Sequence, residues 1–434
     1  MKKWQRVGWF ALSAGGVMVA TGLLARATTP ASFPSSISAE AQLEQRELQI
    51  RGWQTALDQD SASAIALAQL AGLYLQRGRE SGSYEDYPRA ESYARRSLAL
   101  RTQRNGMTFV TLASSLLAQH EFVEARDVAS TLVQIDPDIP QYRALLGETQ
   151  LELGDYAGAA KSFAPIWQYR DNLSIAPRLA RWEELNGRTL QARELLINAR
   201  RTALARRNVP PEQLAWFHLR IGELDIRRGN FREARAVLNA GLELVPDDHR
   251  LLGALARAQS GPRKLRHATE YGEQSIAIRL DPATLGTLSD AYAEAGDSAK
   301  AAQYASAMEI AVSAQPGPYH RAWALFLLDH DTRTAEVLAK AQEELKTRRD
   351  VYGCDIVAWA LYKERRYAEA VEPARCALQL GTKDAALYYH AGMIEKALGH
   401  EAMAKTWLER ALAINPSFHP AQARIAREAL ESLR

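Results

Sequence analysis

Residues 385–418 read AALYYHAGMIEKALGHEAMAKTWLERALAINPSF. A small residue, Gly392, is followed by a break at Gly399-His400, by a second small residue, Ala404, twelve places after the first, and by Pro416. Glycine supplies the left-handed position that ends one helix and turns the chain into the next. Proline stops the second helix, because it cannot donate to the helical ladder and restrains the residue before it. The stretch therefore predicts helix, turn, helix. Residues 215–248 repeat the pattern with Gly222, Gly229, Phe231, Ala234, Leu238 and Pro246.

Working outward, the first small position recurs at Ala71, Ala113, Gly147, Ala180, Gly222, Ala256, Ser289, Ala324, Ala358 and Gly392, in steps of 33 to 35 residues apart from two of 42. A period near 34 residues with these marks resembles the tetratricopeptide repeat family over residues 64–418. The resemblance implies an all-α, right-handed superhelical solenoid of about ten helix-turn-helix repeats. One repeat cannot bury its own apolar stripe, so stability is expected to accumulate from neighbour to neighbour along the stack. Repeats 1–4 are assigned to 64–214 and repeats 5–10 to 215–418. A capping helix is expected within 39–63, and another within 419–434. The two long steps mark insertions at Arg79–Arg89 and around Arg206–Glu212. The latter, with Asn208-Val209-Pro210-Pro211, is the expected joint between two sub-arrays.

The start of the chain has another character. Lys2, Lys3 and Arg6 precede an uncharged run from Val7 to Ala25, then Arg26 and a Ser/Thr/Pro-rich linker over 28–38. A basic flank before an apolar run is an export signal. Residues 1–27 are either a cleaved signal peptide, with Ala25-Arg26-Ala27 as a small-x-small site, or an uncleaved anchor, since the run is close to the ~20 residues that span a bilayer. Both readings place the remainder outside the cytoplasm, periplasmic or extracytoplasmic, with residues 7–25 as a possible inner-membrane tether.

Composition narrows the class. Hydrophobic residues are 47% and charged residues 24% of the chain, as in folded soluble proteins. The net charge of +3, from 54 basic and 51 acidic residues, is too small to attract nucleic acid. Cys354 and Cys376 have no metal-binding or redox spacing. Export permits a bridge between them, but they are read as small buried apolar residues.

In the resembled family the first helices line a concave groove through positions 2, 5, 9, 12 and 13 of each repeat. Two sets of candidate partner-binding residues follow. Glu148, Arg181, Glu223, Arg257 and Asp290 share position 9 in alternating sign, which suits an extended polar ligand; the competing reading is a ladder of ion pairs between adjacent repeats. The last two repeats offer Tyr352, Trp359, Tyr362 and Tyr389, with Met393, which suit a peptide or helix; the competing reading is inter-helix core. The Lys and Asn with which chaperone-binding members hold a terminal carboxylate are missing from positions 5 and 9, so that role is not expected.

Catalytic patterns are not readable. The nine histidines form no HxxxH or HExxH, and there is no GxSxG elbow or GxxxxGK loop. His330, in Asp329-His330-Asp331, is read as a helix cap. Residues 317–418 look like bacterial exported tetratricopeptide proteins, a group that supplies no catalytic residues to carry over. The expectation is a cofactor-free, non-enzymatic scaffold in the bacterial envelope that holds a protein or peptide partner in its groove. The alternative is an assembly scaffold acting through its outer surface.

Overall fold

The computed structural model describes residues 39–206, 209–259, 265–313 and 320–433. These are helical throughout, with no strand among the described residues. Helix α1 (Ala39–Gln59) precedes ten hairpins. They are α2–α3 (Ala64–Ser81, Asp86–Leu100), α4–α5 (Gly106–Ala118, Phe122–Ile135), α6–α7 (Pro140–Leu153, Tyr156–Phe163), α8–α9 (Ala176–Leu185, Thr189–Leu204) and α10–α11 (Pro211–Arg227, Phe231–Leu242). The array continues with α12–α13 (His249–Arg257, Leu265–Ile278), α14–α15 (Pro282–Glu294, Ser298–Ser313), α16–α17 (Arg321–Asp329, Thr334–Glu344), α18–α19 (Val351–Lys363, Tyr367–Leu378) and α20–α21 (Ala385–Ala397, Glu401–Ile414). Helix α22 (Pro420–Glu431) follows the last hairpin.

The small positions are where the two helices of a hairpin touch. A β-carbon on Gly147 would lie 2.6 Å from the Phe163 ring, one on Gly222 2.6 Å from Leu238, and one on Gly392 2.7 Å from Leu408. Aspartates cap several first helices through backbone amides two or three residues on, as Asp248, Asp281, Asp350 and Asp384 do. The first insertion is absorbed by lengthening α2 to Ser81, so only Gly82–Glu85 remains as loop. The second lies between the end of α9 at Leu204 and the start of α10 at Pro211. The buried side chains of the array fall into a chain of clusters rather than a single centre, as stacking of repeats requires.

One feature goes beyond neighbour-to-neighbour stacking. The turn inside the first hairpin receives Arg279, from just before α14: its Nη1 donates to Ser81 O at 3.0 Å. The turn of the third meets the start of α18, where Arg349 N donates to Leu153 O at 3.1 Å and Val351 N to the Tyr156 hydroxyl at 2.9 Å. Thr382 Oγ1, before α20, donates to Leu185 O at 2.5 Å, and Asn415 Nδ2, before α22, donates to Ile226 O at 3.0 Å. The turns of the first, third and fourth hairpins thus touch the chain six hairpins later, and that of the fifth touches it just before α22. The spiral closes on itself, and the last carbonyls of α2, α6, α8 and α10, which a helix cannot satisfy internally, find donors on the next coil.

The two cysteines correct the sequence reading. Cys354 and Cys376, on the paired helices α18 and α19, form a disulfide with Cα atoms 5.8 Å apart, instead of standing as separate buried thiols. The antiparallel hairpin brings them within bridging distance, which spacing along the chain alone does not reveal. The expected signal or anchor (1–27) and linker (28–38) lie outside the described residues. Among the described residues no helix is long and apolar enough to cross a membrane.

Candidate functional site

The first helices of consecutive hairpins lie side by side, so residues three or four apart on each present a continuous polar surface. On α8 these are Arg181 and Glu184; on α10, Arg220, Glu223 and Arg227; on α12, Arg257. Glu184 is the hub. It is buried, and its carboxylate accepts from Arg181 at 2.8 Å, from Arg220 at 3.1 Å and from Arg227. Glu223 pairs with Arg220 and, at 3.3 Å, with Arg257. Burial opposes ionisation of Glu184, but the guanidiniums of Arg227, Arg181 and Arg220 outweigh it and hold the carboxyl far below the usual range. Burial likewise opposes ionisation of Glu223, and Arg220, Arg257 and Arg227 hold it low.

Between α6, α8 and α10 this surface opens into a cavity of about 200 Å³, lined by Glu148, Glu152, Arg178, Arg181, Glu184, Arg220 and Trp216, with Leu151, Pro177 and Leu224 among its apolar walls. The next coil reaches its edge. The Tyr352 ring, on α18, lies 5.5 Å from the Arg181 guanidinium, and its hydroxyl accepts from Arg227 at 3.3 Å. Glu152 is held from the same coil by Arg348, whose guanidinium also lies 4.2 Å from the Phe122 ring.

The position-9 row is only partly the ladder that its alternating signs suggest. Glu223 and Arg257 do pair across adjacent hairpins. Glu148 instead takes Arg178 at 2.7 Å, and Arg181 takes Glu184 on its own helix. Asp290 faces two histidines, His330 at 3.2 Å and His419 at 3.7 Å. Glu184 escaped the sequence reading because, of the five groove positions, only 5 and 9 were read along the repeats; it stands at position 12, three residues after Arg181.

The aromatic set divides. Tyr352 belongs to the charged chamber, through Arg181 and Arg227. Trp359 and Tyr389 are each 2% exposed and pack within the stack. The Trp359 indole stacks on Tyr362 at 4.6 Å and on His390 at 4.2 Å, and its Nε1 donates to Asp329 at 2.9 Å. Tyr389 meets Phe418 at 5.6 Å, and Met393 packs, partly buried, on the same cluster. His390 itself is tied to Asp355 at 2.9 Å. As folded, Trp359 and Tyr389 are inter-helix packing rather than open groove. His330 does cap α16, through Nδ1 to Phe326 O at 2.8 Å, while its other nitrogen reaches Asp290. Among the described residues no three His, Cys, Asp or Glu side chains are grouped to hold a metal ion.

Residues 385–418 match the tetratricopeptide repeat family. No curated protein matches the chain in sequence. Among solved structures, the chain is similar to one from the APC/C hetero-tetramer Cut9–Hcn1, with 11% identity over 90% of this chain and 94% of that one and a TM-score of 0.36. It is similar to human IFIT1, solved as a dimer with m7Gppp-AAAA, at 14% identity over 86% of each chain and a TM-score of 0.45. A tetratricopeptide repeat protein from Parabacteroides merdae gives 16% identity over 61% of this chain and 99% of that one, with a TM-score of 0.34. At such identities, what those proteins bind does not transfer to this chain. The match covers the hairpin at 385–418, and the nine other hairpins among the described residues repeat its helix-turn-helix form, so the array resembles a stack of tetratricopeptide repeats.

Proposed function

We propose that this chain is an exported scaffold of the bacterial envelope that holds an extended polar segment of a protein partner against the charged chamber of repeats 3–5. Repeat solenoids of this superfamily serve in general as protein-binding scaffolds, and the observation that carries the particular reading is the chamber itself. Its volume, about 200 Å³, is below the ~300 Å³ at which small-molecule pockets begin, and it suits one or two side chains of a longer segment. Its walls present carboxylates and guanidiniums together, and a partner's carboxylate can take Arg178 from Glu148, whose displaced side chain, 36% exposed, returns to water.

Export is supported by two features: the basic flank and apolar run of residues 2–25, and a disulfide of a kind that persists in oxidising compartments. No catalytic role is assigned.

The test is capture of crosslinked partners by the full chain from the native envelope fraction. Glu148→Lys reverses a charge on the chamber wall at a side chain 36% exposed, where folding tolerates it. Capture of the partner should fall at least tenfold while helicity is unchanged. Equal capture by the variant would remove the chamber from the account, and recovery of the chain solely in the cytoplasm would remove the envelope.

A further inference from the structure

Helix α22 does more than cover the last hairpin. A terminal cap needs contact only with the repeat beside it, yet the first residues of α22 reach across the concave face to the seventh and eighth hairpins. Gln422 Nε2 donates to Asp329 at 2.7 Å, and that carboxylate oxygen also accepts the Trp359 indole N–H. His419, the N-cap of α22, brings Nε2 to 3.7 Å from Asp290, whose other oxygen lies 3.2 Å from His330 Nε2. Phe418 lies against Tyr389. Two carboxylates therefore face the positive end of the helix, a favourable arrangement.

We propose that Phe418–Gln422 is a clasped lid, an occupant from the chain itself that covers Tyr389 and can be released without unfolding the hairpins beneath it.

Protonation sets the strength of the clasp. His330 Nδ1 donates to the Phe326 carbonyl, and Nε2 lies 3.2 Å from the Asp290 carboxylate, a contact that attracts most strongly when the ring is the imidazolium. The bond to Asp290 raises the His330 pKa. Asp290 raises the His419 pKa against its burial, but protonating Nδ1 would forfeit the Gln422 N–H that it accepts at 3.4 Å, so His330 carries the pH dependence of the clasp; Asp290 itself is held low by the two histidines against its burial. The other charged or titratable groups facing them are Asp329 and Asp331 at the end of α16, Lys363 of α18, which pairs with Asp331 at 2.8 Å, and Tyr389 of α20, raised by burial. A histidine with a raised pKa contributes fully below its ordinary value near 6.5, and the contribution is lost as pH rises through the folded value.

The test uses the full chain and two readouts, amide hydrogen exchange of α22 and hydroxyl-radical labelling of Tyr389. At pH 6, Asp290→Asn and, independently, Gln422→Ala should each speed α22 exchange about tenfold after correction for intrinsic rates, and raise Tyr389 labelling several-fold. Exchange in α18 should not move, which separates release of the lid from unfolding of the stack. The unsubstituted chain should show the same loosening between pH 6 and 8, and Asp290→Asn should abolish that dependence. Unchanged α22 protection in both variants, or lost protection without new labelling of Tyr389, overturns the proposal. Neither result bears on the chamber of repeats 3–5, which Glu148→Lys tests separately.

Discussion

Gly187 faces the carbonyl oxygen of Gly381 from the next coil of the spiral, so closely that a β-carbon on Gly187 would lie 2.3 Å from that oxygen. Gly187 also has φ +72°, in the left-handed region. Gly399 has φ +77° but nothing within 4 Å of where its β-carbon would be. Comparing the two isolates the coil-to-coil contact. Gly399→Ala should cost only the backbone term, about 1–2 kcal/mol. Gly187→Ala should add an overpacking term of about 1–3 kcal/mol, because the obstacle is backbone and cannot turn aside. Denaturant melts of the two variants check this, and equal losses would mean that the coils do not touch in solution.

Glu184 gives an acid-side expectation. Its folded pKa is depressed, so its contribution to stability is present above the ordinary carboxylate value near 4.3 and drains away as pH falls below it. Glu184→Gln leaves Arg181, Arg220 and Arg227 without their shared anion, and at pH 7 this should cost about 3–5 kcal/mol. The variant should also lose less stability than the parent between pH 5 and 3. A parallel decline in both proteins would show that the three guanidiniums are not held by this carboxylate.

The fold was legible because its determinants are local and repeated: small residues at a fixed offset, left-handed turns such as Gly154, Gly229 and Gly296, and prolines after second helices. The site was legible only in part. Position 9 brought Glu223 and Arg257 to notice, and they do pair. Arg348 and Thr382 act on residues 196 and 197 positions away and Tyr352 on Arg227, 125 positions away, and that register follows from the pitch of the spiral, which no single repeat encodes. A bridge between Cys354 and Cys376 was open in the sequence, which puts both in one hairpin, but buried thiols fitted as well, because helix packing and not spacing sets the distance between them.

That disulfide joins residues 22 apart, within one hairpin. Closing a loop of such a length restrains the unfolded chain by about 3 kcal/mol in the entropy account. In a stack stabilised between neighbours, the loss on reduction should appear first in the ninth hairpin and spread outward. Hydrogen exchange with and without reductant should therefore show α18 and α19 loosening ahead of α2 and α3. Uniform loosening along the chain would contradict a stability that accumulates repeat by repeat.

Trp359 separates packing from exposure. Were its indole an open binding surface, removal would leave the fold intact. At 2% exposure, between Tyr362 and His390, Trp359→Ala should instead cost about 3–5 kcal/mol of local stability. Trp359→Phe keeps most of the ring area and gives up the indole N–H. Asp329 would still accept from Gln422, so no buried carboxylate is left unpaired and the cost should be nearer 1 kcal/mol. Thermal melts of the two variants, with hydrogen exchange at α18, measure the difference. Equal stability of Trp359→Ala and the parent would place the indole at the surface, and the aromatic groove inferred from the sequence would then stand open to a partner without any lid being released.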